Sequence, residues 1–323
     1  MSQHSADRYK DFKPKQEVLD LLPEITGNKI NGLNETVARN PKPIMWHDPN
    51  IIAHAEVQKY FSQQGNAHKD ISQFAVGTGT GQLEMPEIAP KRPDWTPEES
   101  SVNVKEAALA RDADLVGITS LDQSWVFEGF EADYKWMVIL AVEMDYDNLS
   151  EAPGVRAQNE VKLQYMRGTQ AAYKLAGWMR EQGWDARAHG GPHAGPVLMI
   201  PGAIQAGLGE LGKHGSMINR QFGSSFRLAN VLTNMPLNPD TPDKFGSDEF
   251  CLSCQLCTNV CPVDAIAPDK KLVRGEQKWY VDFDKCILFF VENNGCAMCL
   301  PACPWSRPGV APRLAEKLTK RKT

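Results

Sequence analysis

All eight cysteines of this 323-residue chain lie in its last quarter, where they form two spaced runs. The first run extends from Cys251 to Pro262 with the spacing C-x2-C-x2-C-x3-C-P. Bacterial proteins use this spacing to hold [4Fe–4S] clusters, each through four cysteine thiolates. The second run ends in Cys303-Pro304 and supplies the other four cysteines. The sequence therefore predicts two iron–sulfur clusters, which side by side form a short path for electrons.

The cysteines should divide between the clusters in a crossed way, because the fourth cysteine of each run ligates the other cluster in two-cluster proteins. We define the first set as Cys251, Cys254, Cys257 and Cys303, and the second set as Cys261, Cys286, Cys296 and Cys299. Structural zinc fits less well, because its sites take four ligands as two separated pairs. Disulfides would need an oxidising compartment, which nothing else in the chain suggests.

Composition restricts what surrounds the clusters. The chain is 42% hydrophobic and 23% charged, as expected for a sizeable core with a smaller appended domain. The net charge of −5 gives no reason to expect nucleic acid as a partner. No stretch approaches the ~18 apolar residues of a membrane helix. The N-terminus lacks an apolar signal segment and a twin arginine, which predicts a cytoplasmic protein and leaves peripheral membrane association open.

Patterning along the chain predicts four parts. Residues 1–100 form a weakly patterned N-terminal segment that covers the core, with a flexible glycine turn at 77–81. Residues 101–245 alternate between helical and strand patterns, with helices at 105–111 and 159–182 and strands at 114–119 and 136–142. This alternation favours an α/β core. Residues 246–308 carry the cysteines, and 309–323 should form a basic, solvated tail.

One segment of the core, residues 199–218, contains five glycines among apolar residues. Glycine allows the backbone to approach a large flat ligand closely and to adopt positive φ. The same density also suits a tightly packed helix with turns. The pattern alone leaves both interpretations open.

The chain resembles the reductive dehalogenases, which are corrinoid iron–sulfur enzymes, over residues 101–306. The resemblance rests on residues 113–119, the helix of Tyr165, the glycine-rich segment, Phe222-Gly223 with Arg227, residues 244–246 and both cysteine runs, including the long gap between Cys286 and Cys296. Epoxyqueuosine reductase is a relative in the wider superfamily.

The resemblance implies an α/β (α+β) nitroreductase-like core that binds cobalamin, followed by a bacterial-ferredoxin-like domain with two [4Fe–4S] clusters. It also implies a base-off corrinoid, and the chain has no Asp-x-His-x-x-Gly motif that would supply a histidine to cobalt. The expected cofactor contacts are Ile200, Pro201, Gly202, Gly207, Leu208, Gly209, His214, Ser216 and Met217.

Two catalytic residues follow from the resemblance by position. Tyr165 aligns with the family's proton-donating tyrosine, and Arg227 aligns with the basic residue beside it. A phenol is a poor acid at its ordinary pKa of about 10, and a neighbouring guanidinium favours the phenolate. Pattern alone would make Tyr165 a core residue on an apolar helix face. His189 or His193 is a further polar candidate, and the aromatic residues expected at a nonpolar pocket are Trp46, Phe289, Phe290 and Trp305.

Three functions remain for comparison. The first is reductive dehalogenation of a small organohalide, with electrons from a separate ferredoxin, flavodoxin or reductase. The second is epoxyqueuosine reduction on tRNA, which the acidic net charge and the end of the chain at residue 323 disfavour. The third is a two-cluster electron carrier without a corrinoid, whose α/β domain is only a docking platform.

Overall fold

The structure is a computed structural model that describes residues 9–67, 84–192 and 195–320. The expected glycine turn at 77–81 and His193 lie outside the described residues. The helices are α1 Gln16–Leu19, α2 Gly27–Asn31, α3 Ala55–Ala67, α4 Pro97–Leu109, α5 Tyr146–Leu149, α6 Val155–Glu181, α7 Met199–Gln205, α8 Ser247–Ser253, α9 Leu256–Val260, α10 Phe283–Glu292, α11 Cys299–Ala302 and α12 Val310–Thr319. The strands are β1 Leu115–Ser120, β2 Trp136–Glu143, β3 Ala186–Gly190, β4 Glu210–Leu211, β5 Met217–Ile218, β6 Phe226–Thr233, β7 Lys271–Val273 and β8 Glu276–Lys278.

The central sheet has the strand order β1-β2-β6-β3, and every neighbouring pair is antiparallel. The core is therefore α+β, with helices packed on an antiparallel sheet, rather than a parallel α/β sheet. The register of the central pair places Val142 of β2 opposite Arg227 of β6. This pairing carries Arg227 to the end of the sheet that faces the cavity described below.

Both faces of the sheet are covered. Along β2, Val138 and Leu140 pack with helices α4 and α6, whereas Met137 and Ile139 pack with α7 on the opposite face. Successive side chains of a strand point to opposite faces, so a strand covered on both sides becomes a continuous apolar run. Because β2 is apolar on both faces, the core has three layers, with α4 and α6 on one face of the sheet and α7 on the other.

The long helix α6 ends where its sequence indicates, but it begins at Val155, four residues before the predicted start. Gly183 follows the helix at φ 83°, a conformation that glycine adopts without the steric cost of a Cβ. Helix α4 begins with a capping box, in which Thr96 and Glu99 each accept a hydrogen bond from the other's backbone N–H. These local signals fix the two helices that pack on the same face of the sheet.

The N-terminal segment does not cover the core uniformly. Val18, Ile30 and Val57 pack against Ile287 and Val291 of α10, in the cysteine-rich region. Residues 84–109 pack on the sheet domain instead, where the ring of Trp95 stacks on Trp178. A small cysteine-rich domain lacks a large core of its own, so the apolar face of α10 requires this cover.

Much of the expected solvated tail is folded. Residues 310–319 form α12, whose Ala311 and Ala315 are buried against Trp305 and Phe245. Its lysines lie on the outer face, where Lys320 pairs with Glu316. The basic composition suggested a solvated tail, although Ala311 and Ala315 are spaced to lie on one buried face of a helix. Within the described part of the chain, no helix combines the length and apolarity required to cross a membrane.

Candidate functional site

The cysteines meet in two groups. Within the first set, the thiol of Cys257 interacts electrostatically with Cys251 and Cys254, and that of Cys303 interacts with Cys251 and Cys257. Within the second set, Cys286 interacts with Cys296 and Cys261, and Cys299 interacts with all three of its partners. The electrostatic partners of these thiols are thus mainly members of the same set, and the interaction of Cys299 with Cys257 links the two sets.

The surroundings of the thiols suit iron–sulfur clusters. Burial raises the pKa of Cys251 to about 11 and that of Cys286 to about 12. Thiols with such pKa values stay protonated at neutral pH unless a metal replaces the protons. Backbone N–H groups point at the sulfur atoms of both sets, as from Ala265 to Cys261 Sγ at 3.3 Å and from Trp305 to Cys303. Hydrogen bonds of this kind stabilise cluster thiolates and tune their potentials.

A cavity of about 330 Å³ lies beside the second cysteine set. All four cysteines of this set line it, together with Tyr165, Arg227, His214 and Ser216 of the α+β core. Its size falls within the range of about 300–1,000 Å³ that small-molecule and cofactor sites occupy. Cysteines that could hold a redox cluster and side chains that could transfer a proton therefore line the same cavity, although they come from two parts of the chain.

Aromatic rings form one part of the cavity wall. Trp46 lies 5.4 Å from Phe61 and 6.3 Å from Phe290, measured between ring centroids. Phe61 and Phe290 are 5.1 Å apart. Trp46, Phe289 and Phe290 line the cavity as the sequence suggested, whereas Trp305 is buried against Phe245 and Phe250. The N-terminal segment therefore contributes directly to this site.

Tyr165 and Arg227 are neighbours in the cavity wall. The Cζ atom of Arg227 lies 5.0 Å from the centroid of the Tyr165 ring. The buried Nε of Arg227 has no hydrogen-bond partner among the described residues. A buried donor without a partner is costly, so this pair suits a site that a further group completes.

Glycines at the end of β3 allow the tyrosine to lie where it does. A Cβ added to Gly191 would lie 2.2 Å from Cε1 of Tyr165, and one added to Gly190 would overlap Thr169. Thr169 in turn donates a hydrogen bond of 2.7 Å to the Tyr165 carbonyl. The close approach of backbone to helix α6 thus fixes the position of the Tyr165 ring.

The residues expected to contact the corrinoid separate into two groups. His214 and Ser216 line the cavity. The others belong to elements packed in the protein interior: Ile200, Leu208 and Met217 join the core beneath the sheet, and Pro201 lies in α7. Gly202 packs near Met137, Gly207 approaches the backbone of Thr241, and Gly209 approaches that of Ile218. The glycines of this segment serve close packing in the structure, and contact of these seven residues with a corrinoid stays a prediction.

His214 connects the cavity to the first cysteine set through hydrogen bonds. Its Nδ1 accepts from the Ser216 N–H at 3.2 Å, so its Nε2 carries the proton and donates to Ser224 Oγ at 2.8 Å. The Ser224 hydroxyl donates in turn to the Cys303 sulfur. Burial lowers the pKa of His214 to about 4, so the ring is neutral at pH 7.

Sequence reasoning missed Lys162, which also lines the cavity one helical turn before Tyr165. Burial lowers the pKa of Lys162, and the described residues offer it no hydrogen bond or ion pair. None of the described residues that line the cavity is an aspartate or glutamate. The spacing of Lys162 and Tyr165 on one helix face was visible in the sequence, but their common cavity was not.

Fold and site together define a two-cluster iron–sulfur protein with an antiparallel α+β domain. A family model described as a 4Fe-4S dicluster domain matches residues 250–306.

Several curated proteins are similar to this chain in sequence. The tetrachloroethene reductive dehalogenase of Dehalobacter restrictus is 30% identical over 270 residues, which cover 65% of this chain and 48% of that protein. The enzyme of the same name from Sulfurospirillum multivorans is 27% identical, with 68% and 52% covered. The epoxyqueuosine reductase of Synechocystis is 26% identical over 226 residues, with 57% and 73% covered. The chain is thus similar in sequence to reductive dehalogenases over about two thirds of its length, and to epoxyqueuosine reductases over a smaller share.

The fold agrees with that relationship. The structure of the catabolic reductive dehalogenase NpRdhA in complex with 3-bromo-4-hydroxybenzoic acid superimposes with a TM-score of 0.70 at 22% identity, covering 94% of this chain and 47% of that one. The chain spans about half the length of the reductive dehalogenases that it matches.

Proposed function

We propose that the chain is a corrinoid-dependent reductive dehalogenase. It would replace a carbon–halogen bond with a carbon–hydrogen bond, consuming two electrons and one proton and releasing one halide ion. One observation carries the proposal: a single cavity is lined by the second cysteine set and by Tyr165 with Arg227 stacked on its ring. Electrons and a proton can therefore be delivered to the same substrate.

The cysteine sets fit the [4Fe–4S] clusters that this reaction needs, and the cavity of about 330 Å³ would enclose only part of a corrinoid. The two cysteine sets would hold the [4Fe–4S] clusters, and His214 and Ser216, with the aromatic wall of Trp46 and Phe290, would hold a base-off cobalamin. When bound, the corrinoid would supply reducing electrons at its cobalt and the clusters would renew them.

Tyr165 would donate the proton through its hydroxyl, which leaves a phenolate in a largely apolar wall. Burial disfavours that anion, whereas the guanidinium of Arg227 at 5.0 Å from the ring stabilises it. The free Nε of Arg227 is available to hydrogen-bond the developing charge. The pair therefore suits an acid that must release a proton inside the protein.

Lys162 would help to receive the departing halide. It is half-buried, it lacks a counter-ion among the described residues, and it lies on the same face of α6 as Tyr165. With Arg227 it gives the cavity two cations, and no described lining residue supplies a carboxylate. An anion formed in the cavity is therefore stabilised.

Electrons would arrive from a separate donor protein at the first cysteine set, since the second set is the one that lines the cavity. Leu252 and Leu256, which adjoin cysteines of the first set, are 60% and 45% exposed. Large exposed apolar side chains beside a redox centre suit a partner protein.

The test compares two tyrosines on one helix. Wild-type chain, Tyr165→Phe and Tyr173→Phe are reconstituted anaerobically with iron, sulfide and hydroxocobalamin, and halide release is measured on a panel of organohalides. Tyr173 packs on the sheet face of α6, so its variant should retain full activity. We expect Tyr165→Phe to lose about 10²-fold or more with normal metal loading. Full activity of Tyr165→Phe would sink its assignment as the acid.

The same preparations separate the other two functions. Processing of an epoxyqueuosine-containing tRNA without halide release would identify a tRNA enzyme. Retention of iron without cobalt, and without either activity, would leave an electron carrier.

A further inference from the structure

Lys213 is a lysine buried beside the first cysteine set. It lies in the turn between β4 and β5, its exposure is 1%, and its Nζ has no hydrogen-bond partner among the described residues. Its Nζ is 4.9 Å from the centroid of the Trp279 ring. An aromatic face offsets only a small part of the cost of burying an ammonium group. The side chain therefore requires a negative partner that the protein atoms alone do not give it.

The nearby carboxylates are already occupied. Asp248 accepts hydrogen bonds of 2.7 Å from Trp279 Nε1 and from Lys270 Nζ. Glu210 accepts from the backbone N–H groups of residues 245–247 and from the Ser247 hydroxyl. Neither has a hydrogen bond or ion pair with Lys213. The ammonium group is thus left without a carboxylate partner in the described part of the chain.

The first cysteine set supplies what is missing. The backbone N–H of Lys213 donates to the Cys251 sulfur, and its charge acts on the thiols of both Cys251 and Cys257. Four thiolates around an iron–sulfur cluster carry net negative charge, and reduction by one electron adds another unit. Net charge and hydrogen bonds to sulfur are among the factors that set the potential of such clusters.

We propose that Lys213 is the buried counter-charge of the cluster in the first set and raises that cluster's reduction potential. Reduction adds one electron and breaks no bond, and the fixed ammonium stabilises the more negative product. The set remote from the cavity would then accept electrons from a weaker donor. This inference rests on the two clusters of the proposed function, but not on the corrinoid or on dehalogenation.

Lys270 provides a matched control. It contacts the same Trp279 ring, with its Nζ 5.3 Å from the centroid, but it is paired with Asp248 and its side chain is 30% exposed. Paired and partly solvated charges act weakly on their surroundings. Removing Lys270 therefore changes the charge of the same region without removing a buried unpaired cation.

The experiment is a redox titration of the chain after anaerobic reconstitution with iron and sulfide and without corrinoid. The clusters are reduced with dithionite in the presence of mediators, and their reduction is followed by electron paramagnetic resonance. Lys213→Met and Lys213→Gln should lower one of the two cluster potentials, changing the reduced-to-oxidised ratio at a fixed potential at least tenfold, which is about 59 mV for one electron. Lys213→Arg should restore most of the shift, and Lys270→Met should move the potential by much less.

Each outcome decides. Unchanged potentials in Lys213→Met, or equal shifts in Lys213→Met and Lys270→Met, overturn the proposal. If the two neutral variants lose about half of their iron while Lys213→Arg keeps it, the charge is required to hold the cluster, which supports the counter-charge role. If Lys213→Arg loses iron as well, shape rather than charge is required, and the proposal fails. A wild-type chain that binds no iron would contradict the proposed function itself.

Discussion

The substitution Gly191→Ala tests whether the position of the Tyr165 ring matters for activity. A Cβ at residue 191 would lie 2.2 Å from Cε1 and 2.3 Å from Cδ1 of Tyr165. Normal contact between carbon atoms begins near 3.5 Å, so the ring would have to retreat by about 1.3 Å. A displacement of about 1 Å at a reacting group can cost about 10²-fold in rate, or ~2.7 kcal/mol in the activation barrier. We therefore expect kcat/KM of Gly191→Ala to fall about 10²-fold.

Gly177→Ala is the control for this substitution. Its Cβ would meet Pro86 at 3.4 Å, which is ordinary contact, on the same helix as Tyr165. It should retain full activity and gain up to ~1 kcal/mol in the free energy of unfolding, since alanine favours a helix interior over glycine. The assay is anaerobic halide release with iron and cobalt counted in each preparation. Wild-type kcat/KM in Gly191→Ala at normal metal content would show that activity does not depend on the position of the Tyr165 ring.

Three further predictions concern the cavity, its surroundings and the donor surface. Lys162→Met should weaken inhibition by added bromide about tenfold, because a charged hydrogen bond is worth about 1.5 kcal/mol; an unchanged inhibition constant contradicts the halide role. Burial lowers the pKa of His189 to about 4 in the folded chain. As the pH falls from about 6.5 to about 4, this histidine therefore takes up a proton in the unfolded chain but stays mainly neutral in the folded chain. Between pH 7 and pH 5 the free energy of unfolding, measured anaerobically, should therefore fall by about 2 kcal/mol more in wild type than in His189→Gln. Equal decreases in the two proteins would exclude His189 as a source of acid lability. The double variant Leu252→Ser/Leu256→Ser should slow turnover with a protein donor but not with a small chemical reductant; equal slowing with both would argue against a docking surface.

The cysteine ligands could be predicted from the sequence because their chemistry depends on local spacing. Helix α6 and strand β2 could also be predicted, since each carries a long regular apolar pattern. Tyr165 is different: its helix face alone indicated a core residue, and only the resemblance to a known family marked it. Its meeting with Arg227 depends on strand register, which no local pattern specifies.

Other features depend on contacts between distant parts of the chain. Lys213 is a single polar residue in a glycine-rich turn, and only its burial beside the first cysteine set distinguishes it from a surface lysine. The glycines around it were compatible with either a ligand site or tight packing, and in the structure several of them allow backbone segments to pack closely. Residues of the N-terminal segment reach the cavity because α10 needs an apolar cover, which no motif announces.

The proposed function is tested most simply by counting iron and cobalt per chain after anaerobic reconstitution with iron, sulfide and hydroxocobalamin and removal of unbound cofactor. Two [4Fe–4S] clusters and one corrinoid predict about eight irons and about one cobalt. Eight irons without retained cobalt would contradict the assignment of the cavity to a corrinoid enzyme, and Tyr165 would then be only a residue of the cavity wall.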